Sequence, residues 1–161
     1  MITNIKSSSF TFATLLVISM SASAAELSTF DQVRAKYQAH RDPTRLSYLF
    51  NRCAALQLNV AALLERKGQK QGAKDFESLA QHYMVLSEAN ERDIDKKRGL
   101  KSKDTMQTVQ RSVATVAEVY TKRMKANYAL RHDYIVGDHQ LESELAECNL
   151  PDVFKKKALA D

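Results

Sequence analysis

Residues 43–68, PTRLSYLFNRCAALQLNVAALLERKG, decide the fold. Leu46, Leu49, Cys53, Leu56, Val60 and Leu63 recur at alternating spacings of three and four, which lines one side of an α-helix. Phe50 and Leu64 widen that stripe. Asp42 suits the N-cap and Pro43 the first helical position. Gly68 closes the far end, where Arg66 and Lys67 complement the negative end of the helix dipole. The spacing therefore predicts a long amphipathic helix from Pro43 to about Lys67.

The same reading extends in both directions. Upstream, Thr29 and Gln32 form a capping-box pattern. A short helix follows to about His40, with Phe30, Val33 and Tyr37 on one face. Downstream, Gln69–Ala73 reads as a turn around Gly72. A third helix is then expected from about Lys74 to Arg98, with Phe76, Leu79, Tyr83, Leu86 and Ile94 as its stripe and Asn90 as a polar interruption. A fourth begins near Ser102 or Asp104. Its apolar positions are Met106, Val109, Val113, Ala117, Tyr120, Met124, Tyr128 and Ile135, and Gly137 ends it. A strict 3.5-residue repeat would instead place Arg123 and Asn127 on the seam, so the drift favours straight helices in a compact bundle. Asp138 caps a short fifth helix with Leu141, Leu145 and Cys148, stopped by Pro151. Short connections turn successive helices antiparallel. The expected architecture is all-α: an up-down antiparallel bundle of three long helices, with short N- and C-terminal helices and one disulfide.

The first residues carry a different signal. A polar start bearing Lys6 precedes the apolar run Phe10–Met20, and Ala22-Ser23-Ala24 supplies small residues where a signal peptidase cuts. The run is shorter than the roughly 20 residues a membrane span requires. Residues 1–24 are thus expected to be a cleaved leader, residues 25–151 the helical domain and residues 152–161 a basic tail carrying Lys155, Lys156 and Lys157. No transmembrane segment is expected after cleavage. The product is placed in the periplasm or outside the cell.

Export changes the reading of the two cysteines, because disulfides persist in oxidising compartments. Cys53 lies 14 residues before Lys67 and Cys148 lies 10 residues after Asp138. At the α-helical rise these depths are about 21 and 15 Å, within roughly one turn of each other. The geometry predicts a Cys53–Cys148 bridge. No CxxC or CxxCH motif suggests redox or haem chemistry.

Composition narrows the function classes. The chain has 24 Lys and Arg against 19 Asp and Glu, and no Trp. This mildly basic charge, without aromatics interleaved among the cations, argues against nucleic acid. P-loop, Rossmann, GxSxG, HExxH and paired ExxH patterns are missing from the sequence, so no catalytic residues are assigned. Met84, Met106, Met124 and His82 could ligate haem, but methionines at helical spacing read as core filler. No cofactor is assigned. His132, Asp138, His139 and Glu142 cluster around Gly137 and are the candidate metal ligands. Lys96, Lys97, Arg98, Lys101 and Lys103 form a basic cluster that could meet an anionic lipid, lipopolysaccharide or an acidic partner. Arg66, Lys67, Lys70 and Lys74 form a second. Tyr83, Tyr120 and Tyr128 are expected in the core, their hydroxyls bonding to one another or to Asn90. The resulting expectation is a non-enzymatic exported bundle that binds another envelope protein. A metal or small-ligand carrier, a lipid-contacting protein, and a small enzyme whose site is assembled only by the fold are the alternatives.

Overall fold

Three polar side chains start three of the helices. Thr29 Oγ1 accepts from the Gln32 amide at 3.3 Å while Gln32 Oε1 accepts from the Thr29 amide at 3.0 Å, completing the capping box of α1 (Phe30–His40). Asp42 Oδ1 accepts from the Thr44 amide at 3.0 Å ahead of α2 (Pro43–Arg66). Asp138 Oδ1 accepts from the Gln140 and Leu141 amides and starts α5 (His139–Cys148). Between them run α3 (Lys70–Lys97) and α4 (Thr105–Arg131). This is a computed structural model, and it describes residues 27–101 and 104–148. Residues 1–26, 102–103 and 149–161, and with them the expected leader, Lys103 and the expected basic tail, lie outside the described residues, which form helices and hold no strand.

The bundle is built around α2, which packs against α1, α3, α4 and α5; α3 also packs against α4. The expected stripe is the core: Leu49, Phe50, Cys53, Leu56 and Val60 are buried with Tyr83, Val109, Val113, Tyr120, Met124 and Leu141. Polar bonds set the register. Asn90 donates to the Pro43 carbonyl and to Ser47 Oγ, and Phe50 packs on Tyr83 at a ring separation of 6.3 Å. Gly72 meets Leu64, so the order of contacts along α3 is the reverse of that along α2. Asn59 of α2 donates to the Ala117 carbonyl at 3.1 Å, tying in α4.

Cys53 and Cys148 form the expected disulfide, with Cα atoms 5.3 Å apart and both residues buried. No helix among the described residues is long and apolar enough to cross a membrane.

Three details depart from the sequence reading. Helix α3 starts at Lys70, so Gln69–Ala73 is mostly first helical turn and Gly72 sits inside it. Glycine is tolerated there because Leu64 fills the space beside it, 3.3 Å from where a Cβ would stand. Helix α4 stops at Arg131 because His132 turns left-handed at φ 57° and its amide bonds back to the Tyr128 carbonyl. Ile135 therefore lies beyond the helix. Tyr128, expected in the core, is 43% exposed, while Asn127 beside it is buried. Met124 is buried as expected and Arg123 is not, but in the last turn Asn127 takes the inward position, where it donates to the turn carbonyls.

Candidate functional site

Beneath α5 lies a charged group that the apolar pattern conceals. Arg52 of α2, Tyr120 of α4 and Glu144 of α5 are all almost wholly buried. Arg52 Nη2 pairs with Glu144 Oε1, and Arg52 Nε donates to the Tyr120 hydroxyl at 3.1 Å. That hydroxyl donates in turn to Glu144 Oε2. Arg52 Nη1 donates to the Ser28 carbonyl, and Gln140 Nε2 donates to Glu144 Oε1 at 2.7 Å and to the Leu27 carbonyl at 3.2 Å. The guanidinium also lies over the Phe30 ring, 4.8 Å from its centroid. Burial alone would lower the Arg52 pKa; the facing Tyr120 and Glu144 oxygens reverse this and raise it. Burial, reinforced by Glu144, drives the Tyr120 hydroxyl far above its ordinary value and keeps it a neutral donor. Buried charges demand such complete pairing, since losing one partner strands the other in a medium of low polarity. The group pins α5 and the strand of chain ahead of α1 onto α2. The disulfide lies one residue along from Arg52, and Tyr83 adds a hydrogen bond to the Cys148 carbonyl at 2.6 Å.

Beside this group opens a cleft of about 630 Å³ with Glu144 in its wall. Thr29 and Asp31 of the α1 entrance, Arg123 of α4, and Asp138, His139 and Ser143 of the α5 entrance line it. Arg123 clamps Asp138 with two bonds of 2.7 and 2.8 Å. Burial would raise the Asp138 pKa, but the Arg123 bonds and charge and the two α5 amides outweigh it, and the carboxyl lies below its ordinary value. Asp138 is therefore both helix cap and ion-pair partner.

The turn from α4 to α5 is fixed from within. Asn127 Nδ2 donates to the Asp133 and Val136 carbonyls, each at 3.0 Å. Arg131 donates to Asn127 Oδ1 at 2.7 Å. Asp133 Oδ1 accepts from the Ile135 and Val136 amides, both at 2.8 Å, and these bonds hold its carboxyl below the usual range. Gly137 has φ 85°, and a Cβ there would come within 2.6 Å of the Arg131 side chain. On the outside of this fixed corner, Leu130 is 76% exposed and Val136 62%. Tyr128 stacks on Tyr134 with ring centroids 4.4 Å apart.

Among the candidate metal ligands, Asp138 is held by Arg123. Glu142 Oε1 accepts from the Gly137 amide and its other oxygen lies 3.6 Å from His139 Nδ1. His132 caps α4 and meets Tyr128 edge-on. Among the described residues no group of three or more His, Cys, Asp or Glu is placed to hold a metal ion. Lys96, Lys97, Arg98 and Lys101 are exposed, and Lys97 pairs with Asp93 at 2.7 Å. The buried tyrosines bond to Cys148 and Glu144, not to Asn90, which faces the start of α2. Glu144 belongs by sequence to the polar group around Gly137, but the sequence reading assigns Arg52 no role and does not pair the two. Their signal was present: each lies within a turn of a cysteine, so the bridge itself brings them together.

No described protein family, curated protein or solved structure matches this chain. The fold and the site define a class in structural terms: a disulfide-stapled all-α bundle with a buried charge group under its last helix.

Proposed function

We propose that this is an exported, non-enzymatic binding protein that acts on another protein of the cell envelope through its α4–α5 corner. The observation that carries the reading is the corner itself. Tyr128, Leu130 and Val136 are three of the five large apolar side chains that the described residues expose, and they fall within nine residues of sequence. Tyr128 and Leu130 end α4 and Val136 lies on the turn that follows, whose backbone is hydrogen-bonded into shape. Such preorganisation lowers the entropy lost on association, and exposed aromatic and aliphatic anchors are what protein interfaces bury. The intramolecular disulfide is compatible with an oxidising destination. The test is photo-crosslinking in the native compartment from positions 130 and 136, with position 77 on the exposed side of α3 as control. One envelope protein crosslinked from the corner alone supports the reading; crosslinks no different from the control, with the protein recovered as a lone monomer, refute it.

The cleft favours a second reading, a carrier of a small polar ligand, since its volume falls in the range of ligand pockets. A metabolite panel read by thermal shift tests it. A ligand that raises the melting temperature of the wild type but not of Arg123→Ala supports it, and no shift across the panel removes it.

A further inference from the structure

The end of α2 remote from that corner brings Arg41 and Arg45 toward the basic cluster that follows α3. Asn90 fixes α3 against Pro43, the first residue of α2. Helix α3 continues for another seven residues to Lys97, about 10 Å at the α-helical rise, and so passes the α1–α2 junction. Arg45 of α2 and Arg98 at the end of α3 both act electrostatically on Asp42 of that junction. Arg41, at φ 48°, forms the junction itself. Arg45 is paired with Asp42 and Lys97 with Asp93. Among the described residues, Arg41, Lys96, Arg98 and Lys101 enter no ion pair. Between Arg98 and Lys101 in the chain, Leu100 is 57% exposed and its amide bonds back to the Asp95 carbonyl.

We propose that this pole is a docking surface for an anionic phospholipid bilayer, with Arg41, Lys96, Arg98 and Lys101 facing the headgroup phosphates and Leu100 entering the interface. Charge complementarity favours a phosphate-rich surface, and an exposed leucine flanked in the chain by cations suits a bilayer better than an acidic protein. The arrangement also sets an orientation. Lys67, at the other end of α2, acts on Asp133 of the α4–α5 corner. Helix α2 has 24 residues, about 36 Å, so a molecule held by its basic pole presents the corner away from the membrane. The proposal stands on a different surface from the protein-binding reading and can fail without it.

The experiment is co-sedimentation of the purified mature protein with vesicles of phosphatidylglycerol in phosphatidylcholine, against pure phosphatidylcholine. Binding to the anionic vesicles, weakened by added salt, is expected. Each cation near a charged bilayer contributes about fivefold in partitioning, so Lys96→Gln/Arg98→Gln/Lys101→Gln lowers it about a hundredfold. Leu100→Ser lowers it several-fold without altering the net charge. The control Arg66→Gln/Lys70→Gln/Lys74→Gln removes three cations from the other end and leaves binding within a few-fold of wild type. All seven side chains are exposed, so unfolding curves of the variants should overlay the wild type. No binding to anionic vesicles, equal binding to neutral ones, or equal losses in pole and control variants would each overturn the proposal. So would capture of an acidic protein by the pole with no vesicle binding.

Discussion

Helices α3 and α5 lie against the same central helix and are held there by opposite means. Helix α3 has 28 residues and buries Ala73, Ala80, Tyr83, Ser87 and Ile94 along its length. Its position follows from a long amphipathic stripe, and polar bonds such as Asn90 to Pro43 only adjust the register. Helix α5 has 10 residues, below the length at which a helix holds itself in water. Its fully buried residues are one leucine, one glutamate and the bridged cysteine. A short helix at the edge of a small core thus needs strong individual contacts where a long one uses many weak ones. The α4–α5 corner is shaped by its own bonds, and those contacts dock the helix that follows it onto α2.

Removing the bridge has the largest expected effect on this contrast. Cross-linking residues 95 apart in sequence stabilises by about 4 to 5 kcal/mol in the chain-entropy description. The double variant Cys53→Ser/Cys148→Ser should lose most of this in denaturant titrations without reductant, and match the wild type when reductant has opened the bridge. A double variant as stable as oxidised wild type would mean that α5 does not depend on its staple. Next comes the buried charge. Glu144→Gln strands Arg52 and should cost about 3 kcal/mol, whereas Arg52→Met/Glu144→Leu should cost much less, because both charges leave together. If the double variant is the less stable of the two, the group is not held by mutual desolvation.

Smaller effects sharpen the picture. Asp138→Asn should cost about 1 kcal/mol near neutral pH by weakening the cap and the Arg123 clamp. The folded-state Asp138 pKa lies below the unfolded value of 3.8, so the unfolded chain takes up the proton first. Its contribution is complete above the unfolded value and disappears as the pH falls through the folded one. The gap between wild type and variant should therefore close in strong acid; a gap that persists there would show that charge is not its origin. Tyr83→Phe leaves the Cys148 carbonyl without its donor and should cost about 1 kcal/mol. Burial pushes the Tyr83 hydroxyl up to about 12, so its contribution is complete below the unfolded value of 10.0 and is lost as the pH rises through the folded value of about 12. A spectrophotometric titration of Tyr83→Phe against wild type should show one late-ionising tyrosine fewer.

The helices, their polar caps and the disulfide were legible because each rests on local spacing or on the helical rise. The stripe around Cys53, the Thr29 and Asp42 caps and the common depth of the cysteines all fall in this class. The start of α3 was obscured by Gly72, whose low helix propensity was outweighed by contact with Leu64. The end of α4 was obscured because Tyr128 and Ile135 continue its apolar spacing, while the stop is made by His132 and by Asn127 reaching to the turn. Of the site, the Asp138 cap could be read, but its Arg123 partner could not. Arg52 and Glu144 look like surface residues by type; only their pairing across 92 positions makes them core. Long-range polar pairing has no periodicity, and a sequence displays it only after the topology is known.

Hydrogen exchange of the oxidised protein and of Cys53→Ser/Cys148→Ser tests the central claim, that α5 is held on α2 by the staple and the buried charge group, most directly. Amides of residues 141–148 should lose protection in the variant by several orders of magnitude, with those of α2 and α3 far less affected. Equal loss across all helices, or unchanged protection of α5, would contradict it.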